Sequence, residues 1–208
     1  MELTAAEPRR KRLTQLFIDG EAAVKIDTET FLRSGLRPGD QITDETLRQL
    51  ILASDARRAN EKALYLLEHR DHSKKELADK IARTAASREA AQSAAQRMEE
   101  LGLVNDEAYA RRKAKELFQR KRYGAMRVRQ ELRQKGISSE LIDELVEEYA
   151  GELAQENIAA ILEKKYSGWQ EDERTRRRAF AALQRMGYSY GQIREGMRRE
   201  EDFGEFEE

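Results

Sequence analysis

The feature that most constrains this chain is an internal repeat with an offset of 51 residues. Leu77, Ile81, Ala90, Ala91, Ala94, Ala95 and Met98 map onto Val128, Leu132, Leu141, Ile142, Leu145, Val146 and Tyr149. A second step of 51 carries Val128, Leu132, Gly136, Ile137, Ser138, Ile142 and Val146 onto Ala179, Leu183, Gly187, Tyr188, Ser189, Ile193 and Met197. Within each copy the apolar positions recur every three or four residues, the signature of an amphipathic helix. Ahead of these, Ala59, Ala63 and Leu67 correspond to Ala110, Ala114 and Phe118, and the matching helix of the third copy falls near Leu153 to Tyr166.

Each copy therefore reads helix, helix, short turn, helix. Gly136-Ile137-Ser138 and Gly187-Tyr188-Ser189 supply the break, because glycine ends a helix in a left-handed conformation and serine caps the next. The first copy has Ala85-Ala86-Ser87 at that place, and Ser73-Lys74-Lys75-Glu76 has the pattern of a capping box. Asn105-Asp106-Glu107 suits another helix start. A unit of about 50 residues buries too little surface alone, so neighbours must stack. The expected fold is mainly α: three tandem three-helix repeats, helix-turn-helix-like, in an elongated curved array behind a short N-terminal β-hairpin and helix segment. The boundaries expected are 1–54 for that segment, 55–104, 105–150 and 151–199 for the repeats, and 200–208 for an acidic tail.

The N-terminal segment carries the strand signal. Leu13-Thr14-Gln15-Leu16-Phe17-Ile18 and Glu21-Ala22-Ala23-Val24-Lys25-Ile26 flank Asp19-Gly20, a dipeptide suited to a two-residue turn. Such a turn is expected to place Leu13, Phe17, Ala22, Val24 and Ile26 on one face. A short helix follows over about Thr28 to Ser34, stopped by Gly35 and Pro38-Gly39, and Thr43-Asp44-Glu45 opens the next. From about Asp55 onward there is neither strand signal nor proline.

Composition excludes several functions. There is no cysteine, so disulfides, thiol catalysis and cysteine-bound metals are ruled out. Neither GxxxxGK[ST], GxGxxG nor GxSxG occurs. His69 and His72 without a spaced acidic cluster make a poor metal site and read as solvated residues at a helix boundary. The pairs Glu99-Glu100 and Glu147-Glu148 lie on helices with apolar opposite faces, so they read as solvated surface. The sequence points to a binding protein without catalysis or cofactor. It has no apolar leader and no stretch near the ~18 apolar residues of a membrane span, which fits the cytosol.

The net charge of −1 hides a segregation. From Arg111 to Lys135 there are eleven Lys or Arg against two acids, whereas residues 200–208 carry six acids and no base. The candidate binding residues are Arg111, Lys113 and Lys115 on one helix; Arg120, Lys121, Arg122 and Tyr123 at its end; and Arg127, Arg129, Arg133 and Lys135 on the next. Arg174, Arg177 and Arg178 repeat the theme in the third copy. A broad positive surface of this kind attracts phosphate backbones or acidic protein faces. Tyr123 has two readings: it stacks on a base, or it packs beside the turn glycine. The acidic tail has three: a solubilising segment, a shield for the basic face, or a partner anchor through Phe203 and Phe206.

Four segments resemble the RecX family. Tyr65-Leu66-Leu67-Glu68-His69-Arg70-Asp71-His72-Ser73-Lys74-Lys75-Glu76-Leu77 is similar to its opening motif, and Leu103-Val104-Asn105-Asp106-Glu107-Ala108-Tyr109-Ala110 to its second-unit start. Gly124-Ala125-Met126-Arg127-Val128-Arg129-Gln130-Glu131-Leu132-Arg133-Gln134-Lys135-Gly136-Ile137 resembles its most recognisable stretch, and Arg185-Met186-Gly187-Tyr188-Ser189 its last turn. The Ala- and Ser-rich third helix of the first copy, Ala85 to Ala95, departs from the pattern and argues against tight packing there. The resemblance implies a modulator, usually negative, of the bacterial recombinase RecA. Such a protein lodges in the groove of the RecA filament on single-stranded DNA and lowers ATP hydrolysis, strand exchange and co-protease activity. It is expected to act as a monomer, with direct DNA binding a further property. The alternative left open is a stand-alone nucleic-acid-binding helical repeat protein.

Overall fold

Asp19 and Gly20 both take positive φ, +52° and +87°, and fold β2 (Leu13–Ile18) back onto β3 (Glu21–Asp27) as a hairpin. The computed structural model describes the backbone of residues 1–204 and, except at 150, 152 and 199–204, their side chains. A third strand, β1 (Leu3–Arg9), adds antiparallel to β2, giving the order β1-β2-β3. Sequence reading did not anticipate it. Pro8 is tolerated there because β1 is an edge strand.

The hairpin register also differs from expectation. A bulge between Leu16 and Phe17 gives β3 one extra residue, so Thr14 faces Ile26 and Leu16 faces Val24, while Leu13 pairs with Asp27. Leu16 and Ile26, not Leu13 and Phe17, then fill the core with Leu3, Phe31, Ile42 and Leu50.

Helix α1 (Thr28–Ser34) is capped by the Asp27 carboxylate and ended by Gly35 at φ +73°. Helix α2 (Asp44–His69) starts at the Thr43 cap and runs for 26 residues. Its first half covers the sheet through Leu50, and its second half, through Ala59 and Ala63, packs against α3 (Lys74–Ala82) and α4 (Arg88–Glu100). Ser73 and Ser87 cap α3 and α4 as their positions suggested. Ala91, Ala94 and Ala95 are buried against α2 and α3, so this alanine-rich helix is tightly packed: small side chains let the helix backbones approach. His72 is only 2% exposed, which corrects its reading as a solvated residue; His69 is exposed.

The chain divides into two compact units, Met1–Asn105 and Asp106–Glu208. In the second, α5 (Asp106–Lys115) passes into a π-helical turn, Glu116–Arg120, and is followed by α6 (Ala125–Gln134). Helix α7 (Ser139–Lys165) runs unbroken for 27 residues where the repeat suggested two helices. Ile142, Leu145 and Val146 at its start close a core with Val128 and Leu132; Ile158, Ile161 and Leu162 near its end close another with Trp169, Ala179, Leu183 and Ile193. The lone Gly151 at the expected boundary costs a helix only about 1 kcal/mol relative to alanine, too little to break it. Helices α8 (Glu173–Arg185) and α9 (Tyr190–Gly204) complete the unit. The stretch read as an acidic tail begins inside α9. Phe203 and Phe206 lie outside the residues whose side chains are described.

Candidate functional site

The cations singled out in the sequence fall into two groups, committed and uncommitted. Arg111 reaches across to α7 and bonds Glu144 at 2.6 Å and Glu148 at 3.2 Å, with Glu107 of its own helix at 3.2 Å. The Glu144 carboxylate, chiefly, holds this guanidinium above its ordinary pKa. Lys113 pairs with Glu116 at 2.9 Å, and Lys121 lies 3.7 Å from the same carboxylate. That pairing, led by Lys113, pushes the Glu116 pKa below the usual carboxylate value.

On α6 the two arginines most central to the sequence reading part company. Arg127 pairs with Glu131 at 2.7 Å and abuts Gly187, whereas Arg129 turns to Asp143 of α7 at 3.2 Å. Two residues along a helix subtend about 200°, so one flank cannot hold both. The single broad positive face expected over α5 and α6 is thereby divided. Arg133 follows Arg129 by four residues onto its flank, exposed and without an ion pair among the described residues. Lys115 and Arg120 are likewise exposed and unpaired there, and Lys135 is half-buried at the end of α6. Tyr123 packs against the second-repeat core, with the Lys121 Nζ 5.9 Å and the Arg127 guanidinium 5.7 Å from its ring centre.

In the third repeat, Arg174, Arg178 and Arg185 are spaced by four and seven residues and form one stripe of α8, about 16 Å long. With Tyr166, Arg177 and Ala181 they line a surface cleft of about 700 Å³. Glu173 and Asp172 line it too; Glu173 holds Arg177 at 2.8 Å, and Asp172 caps α8. Arg174, Arg178 and Arg185 make no ion pair among the described residues. Arg185 was missed in the sequence reading, though its position seven beyond Arg178 was the available signal.

The second and third repeats meet through backbone. Gly124 and Gly187 approach so closely that a Cβ on Gly124 would lie 2.4 Å from the Gly187 carbonyl. The Gly124 N–H donates to the Met186 carbonyl at 2.9 Å, and the Met126 N–H to the Gly187 carbonyl at 3.1 Å. This caps α6, whose N-cap residue has no side chain to do so. Among the described residues no group of three His, Asp or Glu is arranged to hold a metal, and no helix is long and apolar enough to cross a membrane.

Serial three-helix units, one carrying an arginine-lined cleft, define a class of helical-repeat proteins. Family models for the second and third three-helix domains of RecX match residues 105–146 and 152–197. The regulatory protein RecX of Caldanaerobacter subterraneus subsp. tengcongensis is 34% identical over 163 residues, 78% of this chain and 82% of its own. That of Chlorobium phaeobacteroides is 31% identical over 142 residues, 68% of this chain and 93% of its own. This chain belongs to the RecX family of regulatory proteins. The fold agrees: a crystal structure of a regulatory protein RecX superimposes with a TM-score of 0.64 at 19% identity, covering 93% of this chain and 98% of the other. RecX from Lactobacillus salivarius gives 0.61 at 21% identity over 71% of this chain and 97% of its own.

Proposed function

We propose that this protein regulates RecA by binding the RecA filament on single-stranded DNA, and that its effect is inhibitory. It does so as a monomer, in the cytosol, without catalysis of its own. The observation that carries this reading, in a chain of the RecX family, is the set of exposed cations that make no ion pair among the described residues: Lys115, Arg120, Arg133, Arg174, Arg178 and Arg185. An exposed arginine already bound to a carboxylate gains little from a phosphate, because it must give up one anion to take another. Uncommitted arginines offer the full charge-assisted contact. Cations on two successive repeats also raise the effective concentration of the second contact once the first is made.

The test is ATP turnover by RecA on single-stranded DNA as the protein is added. Turnover falls with added protein, and the Arg120, Arg133, Arg174 and Arg178→Gln variant needs a higher concentration for the same effect. Unchanged turnover at saturation refutes the proposal. Salt-sensitive binding to bare DNA alongside such indifference supports the stand-alone nucleic-acid-binding reading instead.

A further inference from the structure

The elbow between α5 and α6, residues 118–126, is held in shape by the repeat that follows it. Within the π-helical turn the chain is widened, with the Lys121 N–H reaching the Glu116 carbonyl at 3.0 Å and the Tyr123 N–H reaching that of Leu117 at 3.0 Å. Asn157 of α7, 7% exposed, donates its side-chain amide to the Phe118 carbonyl at 3.0 Å. Arg122 then takes φ +53°, a left-handed conformation that costs an L residue about 1–2 kcal/mol. Its carbonyl accepts the Tyr188 hydroxyl at 2.8 Å, from a side chain only 3% exposed. Two backbone hydrogen bonds to Met186 and Gly187 complete the hold. Strained backbone persists only where its surroundings over-determine it, and such strain concentrates where a loop must keep one shape.

The elbow carries Arg120, which is exposed, and Lys121, and leads directly into Arg127; of these, Lys121 and Arg127 lie beside the Tyr123 ring. We propose that Tyr188 and Asn157 are positioning residues. Through the Arg122 and Phe118 carbonyls they fix Arg120, the elbow cation that makes no ion pair among the described residues, in the position that grips the phosphodiester backbone of a single strand. The inference rests on the reading of the basic surface as binding ground. Neither side chain touches the ligand. A phenylalanine at 188 fills the same space, so the hydroxyl's separate contribution is its bond to the elbow. Burial of Tyr188 pushes its phenol well above the ordinary range, which keeps that donor protonated at any working pH.

The experiment uses the full chain with Tyr188→Phe and, separately, Asn157→Leu, each checked by emission of the single tryptophan, Trp169, for an intact third core. Two readouts are taken: tryptic cleavage after Arg120, Lys121 and Arg122, and anisotropy of a labelled oligothymidylate across a salt series. With the core intact, cleavage at the elbow is expected to quicken. Affinity should fall about three- to tenfold, the loss of one good hydrogen bond. The salt slope should become shallower by about 0.7 for each cation displaced, although no charge was removed. Unchanged cleavage in both variants overturns the clamp. Faster cleavage with unchanged affinity leaves the clamp standing and overturns the basic-surface reading beneath it. Should Tyr188→Phe fail to fold, Asn157→Leu decides alone.

Discussion

Gly124→Ala tests whether contact between backbones holds the second and third repeats together. The conformation at Gly124, φ −74° and ψ 163°, is open to any residue, so the substitution introduces no backbone strain. Its cost is contact alone. The new methyl would sit 2.4 Å from the Gly187 carbonyl carbon and oxygen and 2.5 Å from the Tyr188 nitrogen, backbone atoms that cannot swing aside. Overpacking costs about 1–3 kcal/mol. Moving the strands of chain apart weakens the hydrogen bonds to Met186 and Gly187, about 0.5–1.5 kcal/mol each. Stiffening the unfolded chain returns about 0.4–1 kcal/mol. The net is a loss of about 2–4 kcal/mol. Trp169 lies in the third core, so its emission during urea unfolding reports the damage one repeat away from the substitution. With a slope of about 1–3 kcal/mol per molar urea, the midpoint drops by about 1–3 M. Gly151→Ala is the control within the same unit: nothing lies within 4 Å of its added methyl, and it sits inside α7. That variant gains about 0.5–1 kcal/mol from helix propensity. A Trp169 midpoint indifferent to Gly124→Ala, or equal shifts for the two variants, would refute the close-contact account.

Three further outcomes follow from the same geometry. Burial, above all, depresses the His72 pKa, while Glu76, with an oxygen 3.2 Å from Nδ1, opposes the shift and Arg70 and Lys80 add to it. The folded state therefore binds fewer protons there than the unfolded state. Its contribution is present above the ordinary value of about 6.5 and is lost as pH falls below it. Urea unfolding should show falling stability between neutral and mildly acid pH, and His72→Gln should flatten that slope. Ala94→Leu, at a site 3% exposed in the first-repeat core, should cost about 1–3 kcal/mol by overpacking, measured as a loss of helical signal at lower urea. Replacing Arg174, Arg178 and Arg185 by Gln should reduce the salt slope of oligothymidylate binding by about 0.7 per residue, while Arg111→Gln leaves it unchanged. Equal effects of the two variants would show that internal pairing does not decide which arginines are available.

What was legible in the sequence was what depends on near neighbours. The cores at Val128, Leu132, Ile142, Leu145 and Val146 and at Ala179, Leu183, Ile193 and Met197 follow from three- and four-residue spacing, because only one stripe of a helix can face inward. The caps at Thr43, Ser73, Ser87 and Ser138 were readable because each oxygen serves an amide three residues on. What was missed depends on distant partners. Strand β1 contains Ala5, Ala6 and Pro8, poor strand formers, and exists because β2 offers it an edge. The division of cations on α6 depends on Asp143 and on the Gly187 turn, fourteen and sixty residues from Arg129 and Arg127. The clamp on the elbow spans 39 residues from Phe118 to Asn157 and 66 from Arg122 to Tyr188, beyond any local pattern.

Helix α7 makes the repeat in the text and the repeat in the object different things. A cut placed where the 51-residue period would put it falls in the middle of a continuous rod. Each fragment would keep half a helix whose apolar stripe had lost its anchorage, and neither Ile142 nor Ile158 would find its core rigidly framed. Copies two and three therefore cannot be excised, swapped or shuffled one at a time; the pair is the smallest part that can be moved whole.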